Sequence, residues 1–441
     1  MRYDKFFALA KEAGIEEAEL YIGESFSLSF SLFHSEVDNY SSNKSMTILA
    51  RGIINGKFGT ASCDSWSNEH AKYLVDEIAA NAKVIENEDP AFIFEGSKEY
   101  KKINTFNKEL EKISIDEKMK KLYELEKAIR EGDPRVIEVG GVEYSESAES
   151  VTIMNSKGLK LAQKSNYFYF VGQAVAREGT QTKSGYELFL DNDFSKLDVQ
   201  KLAKEVVANT VNQLGGEACE SNTYKAVLSP DVVKAFLSFY VGNADAEEVQ
   251  KRSSLFIGKL GQQIASKKIT VEDKPLKKGN VFSRWFDDEG VATYNKPIIK
   301  NGVLQTYLYN LTTAAKEGVE STGNASRGGS KMGIGTFFLE LKPGQKSQED
   351  LFKEVGDGVY ITDVQGLHAG LNPQSGNFSL QSTGFLIKNG KKDRALDVVT
   401  VSGNLMDVFK DVEEVANDTR TFPSGIACSS LMIKKIIVSG K

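Results

Sequence analysis

The eight residues Gly215–Asn222, GGEACESN, divide the chain. A glycine pair followed by small and polar residues breaks both helical and strand periodicity, and the patterning differs on its two sides. Upstream, helical spacing runs from Leu197 to Leu214 and from Ile115 to Arg130, and the β-type stretches ESVTIMNSKGLKLA and NYFYFVGQAVA lie between them. The same order occurs once before. A helix from about Lys5 to Glu12 precedes the alternation of AELYIGESFSLSFSLF, and SMTILARGIINGKFGTAS turns back on itself at Asn55-Gly56, a two-residue hairpin signal. SNEHAKYLVDEIAANAKVI then resumes helical spacing behind a serine cap. A Lys- and Glu-rich connection near Glu95 to Lys112 separates the two units. Two helix-flanked meanders are what an internal duplication produces, although residue identities do not demonstrate one.

Downstream of Asn222 the chain reads as mostly β, with candidate strands YKAVLS, GVLQTYLYNL, GTFFLELKPG, DGVYITDVQG, GFLIKNGK, DVVTVSG and LMIKKIIVSG set between Gly and Asn turns. The expectation is an α+β chain. Residues 1–100 and 110–216 form N-terminal antiparallel sheets flanked by helices, and residues 220–441 form a mostly-β C-terminal domain with a curved sheet or barrel-like body.

The 441 residues carry a formal charge of −6, with 40% hydrophobic and 26% charged residues. These are globular proportions, and the acidic balance with scattered Lys-Lys pairs argues against direct nucleic-acid binding, which needs a basic excess or cluster. Three cysteines far apart, Cys63, Cys219 and Cys428, form no CxxC and suit a reducing compartment, so a cytoplasmic location is expected. MRYDKFFALAKEAG has neither an apolar signal core nor a cleavage site and is expected to stay on the protein. The run from Val364 to Ile387 lacks Asp, Glu, Lys and Arg, but its Gly, Gln, Asn and Ser exclude a membrane span.

His34, His70 and His368 are the only histidines, and none has a second histidine or cysteine at zinc-ligand spacing. His34 and His70 read as ordinary surface or satisfied residues. His368 lies in GLHAGLNPQSGNFS, an uncharged loop whose backbone amides suit a binding wall or simply a well-ordered turn. STGNASRGGSKMGIG (Ser321 to Gly335) lacks the GK[ST] ending of a phosphate loop; its Asn324 and Arg327 suit a peptide backbone or carboxylate, with structural turns the alternative. The acids Asp287, Asp288 and Glu289 of WFDDEGVATY lack Ca²⁺-loop spacing and read as a capped turn before a strand. Cys428 has no base near it in sequence.

Four segments, FDDEGVATYNKPIIKNGVLQTYLYN, STGNASRGG, GLHAGLNPQSGNFSLQSTGFLIKNGK and VVTVSGNLMDVFKDVEEVANDT, occur in an order that resembles the TldD/PmbA family, and ARGIINGKFGTAS followed by a helix fits as well. In that family the metal-bearing subunit carries HExxxH on the helix after the YKAVLS strand, and a C-terminal cysteine completes a zinc site. Counting back from LFIGKLGQQIAS sets Leu237 and Gly242 at the histidine positions and Ser238 at the glutamate, with Cys428 as the one residual ligand. The family's acid after Ser-Gly is Asn377 here. The resemblance therefore implies the PmbA (TldE) branch, which holds no zinc of its own. It also implies a cytosolic heterodimer with a zinc-bearing TldD-type subunit that trims or degrades unfolded peptides, with a homodimer when the partner is absent. Gly366, His368 and Gly370, with Asn324 and Arg327, are the expected peptide-binding residues. A regulatory or structural partner, of the gyrase-modulator kind, and an independent hydrolase using Cys428 are the alternatives.

Overall fold

Long alternating stretches dictate the N-terminal half. In the computed structural model, which describes residues 3–86, 89–329 and 331–441, they form six strands. Met1 and Arg2 of the N-terminal segment, Asn87, Glu88 and Ser330 lie outside the described residues. The strands are β1 (Glu17–Phe33), β2 (Glu36–Ile54), β3 (Lys57–Cys63), β4 (Val136–Asn155), β5 (Lys160–Glu178) and β6 (Gln181–Asp191). They make one antiparallel sheet in the order β3-β2-β1-β4-β5-β6, curled into a half-barrel.

The separate sheets expected from the sequence are thus a single sheet: the first strands of the two meanders pair along Leu32↔Val142 to Glu19↔Asn155, which hides two edges that would otherwise stay open. Helices α1 (Asp4–Glu12) and α2 (Asn68–Val84) cover β1 to β3 over a core centred on Phe6, Leu20, Leu74 and Ile78. Helices α3 (Ile115–Arg130) and α4 (Val199–Val211) cover β4 to β6 over Leu125, Tyr144, Phe168 and Phe170. Ser67, Ser114 and Asp198 cap α2, α3 and α4 by accepting backbone N–H bonds.

The C-terminal domain is built around β7 (Asn222–Leu228). It pairs in parallel with Gly358–Gln365 and antiparallel with Leu431–Ser439. Two further strands, Asn377–Lys388 and Lys391–Asn404, continue from Gly358–Gln365, and Lys391–Asn404 returns to Leu431–Ser439, which closes a five-stranded barrel. Helix α5 (Pro230–Gly242) follows β7 and buries Val232, Val233, Phe236, Leu237 and Tyr240 in the largest core of the molecule. A second six-stranded sheet of short strands includes Val271–Asp273, Leu339–Leu341 and Ile426–Cys428.

Of the expected strand GVLQTYLYNL, only Val303–Leu304 pairs regularly. Asn310 and Thr313 form a reciprocal capping box that starts a helix at Leu311–Glu317, so the apolar run ends as a helix entry. Among the described residues no helix is long and apolar enough to cross a membrane.

Candidate functional site

Ser229 caps α5 by accepting the Val232 N–H, and Pro230 sits in its first turn. The helix therefore starts at a fixed point at the end of β7 and presents two faces. One enters the core. The other, at the C-terminal end, places Ser238, Phe239, Gly242 and Asn243 along a cleft of about 240 Å³. Leu371, Pro373 and Gly376 of the long uncharged loop form the opposite wall, and Glu248, Leu255 and Leu405 close the ends. Asn243 fixes the mouth: its Nδ2 donates to the Phe239 carbonyl at 2.9 Å, and its Oδ1 accepts the Leu255 N–H at 2.7 Å. An added Cβ at Gly242 would meet nothing within 4 Å, so the glycine leaves open space on the cleft side.

Of the three positions that the sequence count sets on the family motif, Leu237 is wholly buried in the core, and Ser238 and Gly242 line the cleft.

The side chains that line the cleft do not fit zinc. A serine hydroxyl, a phenyl ring and an amide already engaged in hydrogen bonds supply no imidazole or thiolate, and Glu248 is held by the Ser253 hydroxyl. Among the described residues no group of three His, Cys, Asp or Glu side chains is placed to hold a metal ion.

Cys428, the residual ligand of the sequence reading, lies elsewhere. Its Sγ donates to the Pro230 carbonyl at 3.2 Å, at the opposite end of α5, about 12 Å along the axis from Ser238 at 1.5 Å per residue. Burial, reinforced by Asp231 and Asp418, pushes its thiol up. Such burial disfavours the thiolate that a cysteine nucleophile needs.

The loop residues expected to bind peptide, Gly366, His368 and Gly370, are not among those that line the cleft. Gly366, at φ +76°, opens the one-turn helix Leu367–Gly370, where His368 is exposed. A Cβ on Gly370 would come within 2.3 Å of the Ser379 carbonyl, so this glycine is required by close backbone approach. Asn377, in place of the family acid, accepts from Asn404 Nδ2 at 2.8 Å.

Asn324 and Arg327 are not brought to the cleft at all. Asn324 is buried within the C-terminal domain, and Arg327, its side chain largely buried, lies against β1. Asn324 Nδ2 donates to Asp273 and to the Gly335 carbonyl, each at 2.8 Å. The Arg327 guanidinium lies 4.8 Å over the Tyr21 ring and 3.8 Å from Glu19. Burial and the nearby Arg51 guanidinium hold Arg327 below its ordinary value.

The surrounding network is the largest feature that sequence reasoning missed. Arg51 donates to Glu19 at 2.8 Å and stands 3.7 Å from Glu289. Arg284 donates to Asp288 at 2.7 Å, and the Tyr21 hydroxyl donates to the same oxygen at 3.0 Å. Asp287 accepts the backbone N–H groups of Glu289, Val291 and Ala325. Trp285 and Phe286 anchor the segment against Ile153, Leu159 and Leu161 of the half-barrel. The acids do form a turn, as expected, but they are almost fully buried, and their partners Glu19 and Arg51 lie far away in sequence.

A curled half-barrel joined to a closed barrel, with the barrel's first helix opening on a cleft beside a long uncharged loop, defines an α+β chain built on two curved antiparallel-rich sheets. Sequence models described as PmbA/TldA metallopeptidase domain 1, central domain and C-terminal domain match residues 18–82, 108–214 and 221–440. The chain belongs to the PmbA/TldD metallopeptidase family. Over its whole length it is similar to a solved Thermotoga maritima protein designated a candidate modulator of a DNA gyrase, at 31% identity, a TM-score of 0.92 and 99% coverage of each chain. TldE from Thermococcus kodakarensis is similar at 25% identity, with a TM-score of 0.92 and 99% coverage of each. The metalloprotease PmbA homologue of Haemophilus influenzae is 25% identical over 98% of this chain and 94% of its own length.

Proposed function

We propose that this chain is the PmbA/TldE-type subunit of a TldD/TldE metallopeptidase: it binds peptide in the α5 cleft and helps enclose the chamber in which a TldD-type subunit supplies zinc. One observation carries the reading. The face of α5 that opens to solvent keeps the geometry of a site, a cleft between a helix end and a backbone-rich loop, while its side chains are Ser238, Phe239, Gly242 and Asn243. Such a surface receives an apolar side chain of an extended peptide but activates no water. Proteolysis therefore resides in the complex, zinc belongs to the partner, and the substrate is an unfolded peptide.

Mixing experiments test this directly. The chain alone, incubated with Zn²⁺ and an unstructured peptide, is expected to hold less than stoichiometric zinc and to leave the peptide intact. Addition of a TldD-type subunit is expected to give cleavage that a chelator stops. One zinc per chain, or cleavage by the lone chain, would overturn the assignment.

A further inference from the structure

A second cleft, of about 760 Å³, opens at the start of α5, between β6 and α4 of the half-barrel and the barrel strand Gly358–Gln365. Its volume falls within the roughly 300–1,000 Å³ of small-molecule sites. Strand addition along β6 is blocked, because Gln213 Nε2 donates to the Ser184 carbonyl at 2.9 Å and Asn209 Nδ2 to the Tyr186 carbonyl at 3.2 Å. Recognition in this cleft therefore falls to side chains.

The half-barrel and the barrel share one cation across it. Arg420 donates to Glu187 of β6 and, at 3.0 Å, to Asp231 in the first turn of α5. Burial nevertheless holds both carboxyls above their ordinary range. Asp363 and Asp418 line the same cleft. The Asp363 carboxylate accepts from Gln365 Nε2 at 2.9 Å, and that of Asp418 from the neutral donors Gln348 and Ser430. Among the described residues neither has a Lys, Arg or His partner. Of the remaining cations in the lining, Lys183 is paired with Asp397 at 2.6 Å, and Lys392 lies 4.6 Å over the Phe385 ring.

A neutral group in the wall adds a second requirement. Tyr360 is only 9% exposed, and its hydroxyl accepts from Gln348 Nε2 at 3.0 Å. Among the described residues its own proton meets no acceptor, and a buried donor of this kind calls for one. The acids are not placed to chelate: no group of three His, Cys, Asp or Glu among the described residues is set to hold a metal ion. A guest that satisfies the whole wall is larger than an ion and carries both a positive charge and a hydrogen-bond acceptor.

We infer that this cleft binds an organic cation of the basic amino-acid type, its guanidinium or ammonium head taken by Asp363 and Asp418 and its carbonyl accepting the Tyr360 hydroxyl proton. The inference goes beyond the proposed peptidase role and does not depend on it. The same chemistry comes from a free arginine derivative or from a basic residue within a peptide.

Calorimetric titration of the full chain with acetyl-argininamide tests it. Binding is expected, and the citrulline counterpart, of the same shape without the charge, is expected to bind at least tenfold more weakly. Asp363→Asn keeps an acceptor for Gln365, so it is expected to leave the melting temperature unchanged while raising Kd for acetyl-argininamide by about tenfold. Tyr360→Phe is expected to weaken acetyl-argininamide and to leave agmatine, which has the guanidinium and no carbonyl, unaffected; a loss for both would mark a merely structural role and contradict the assignment of Tyr360. An unstructured peptide with one arginine that binds more tightly than acetyl-argininamide would support a peptide-borne cation, and equal or weaker binding a free one. No binding of either probe, equal affinity for the citrulline counterpart, or an Asp363→Asn chain that binds as wild type would overturn the inference.

Discussion

At the scale of single residues the junction between half-barrel and barrel is governed by buried charge. Burial works against the charge on Arg51, yet Glu19 and Glu289 hold its pKa above the ordinary value. Removing one member strands the others in a dry site, so Glu19→Ala or Arg51→Ala is expected to destabilise the chain by about 3–5 kcal/mol, read as a lower urea midpoint at an unchanged slope.

Asp287 adds a pH dependence of defined sign. Burial, and secondarily Glu289, push its carboxyl from 3.8 up to about 8, against the pull of three backbone N–H donors. Between those values the folded chain holds a proton that the unfolded chain has released. This contribution to stability is full below about pH 4 and is lost as the pH rises through about 8. Urea midpoints are accordingly expected to fall between about pH 5 and about pH 8.5, and Asp287→Asn is expected to flatten that slope. A midpoint that rises with pH in wild type alone would show Asp287 to be ionised in the fold. None of this was legible from WFDDEG by itself: three adjacent acids read as a capped turn before a strand until folding supplies Arg51, Arg284 and Tyr21.

At the scale of elements, local signals were read well and pairings were not. Helices α2 and α3 follow from serine caps and 3.6-residue spacing, and α5 begins at the serine and proline that mark it in sequence. The capping box Asn310–Thr313 was also present in the letters, but the apolar run before it, with Tyr307, Leu308 and Tyr309 buried, mimicked a strand. Periodicity cannot distinguish a buried irregular segment from a strand of the same length.

On α5 the positions of the sequence count divide between the two faces, with Leu237 in the core and Ser238 and Gly242 on the cleft. The cap itself gives a clean test. Ser229→Ala removes the acceptor for the Val232 N–H and is expected to cost about 1 kcal/mol, visible as a lower melting temperature with the cleft intact.

At the scale of the whole molecule, the half-barrel strands precede Gly215 and the barrel strands follow it, and the repeated order of helix, three strands and helix is visible on both sides of the β1–β4 seam. The joining of both meanders into one sheet was not legible, because strand partners are set by edge matching over more than a hundred residues and leave no local pattern. Family resemblance placed the chemistry on α5, and the proposed function makes its cleft a surface that recognises peptide and does not cut.

The most direct test of that distinction is calorimetric titration of a chelator-treated chain with an unstructured, apolar peptide, set beside Gly242→Trp. An added Cβ at Gly242 meets no neighbour within 4 Å, so a side chain can start there on the cleft side, and the indole is expected to occupy the cleft. Binding that persists without metal and is lost in Gly242→Trp, with wild-type melting temperature, is the expected result; binding that requires zinc, or that survives a filled cleft, would contradict it.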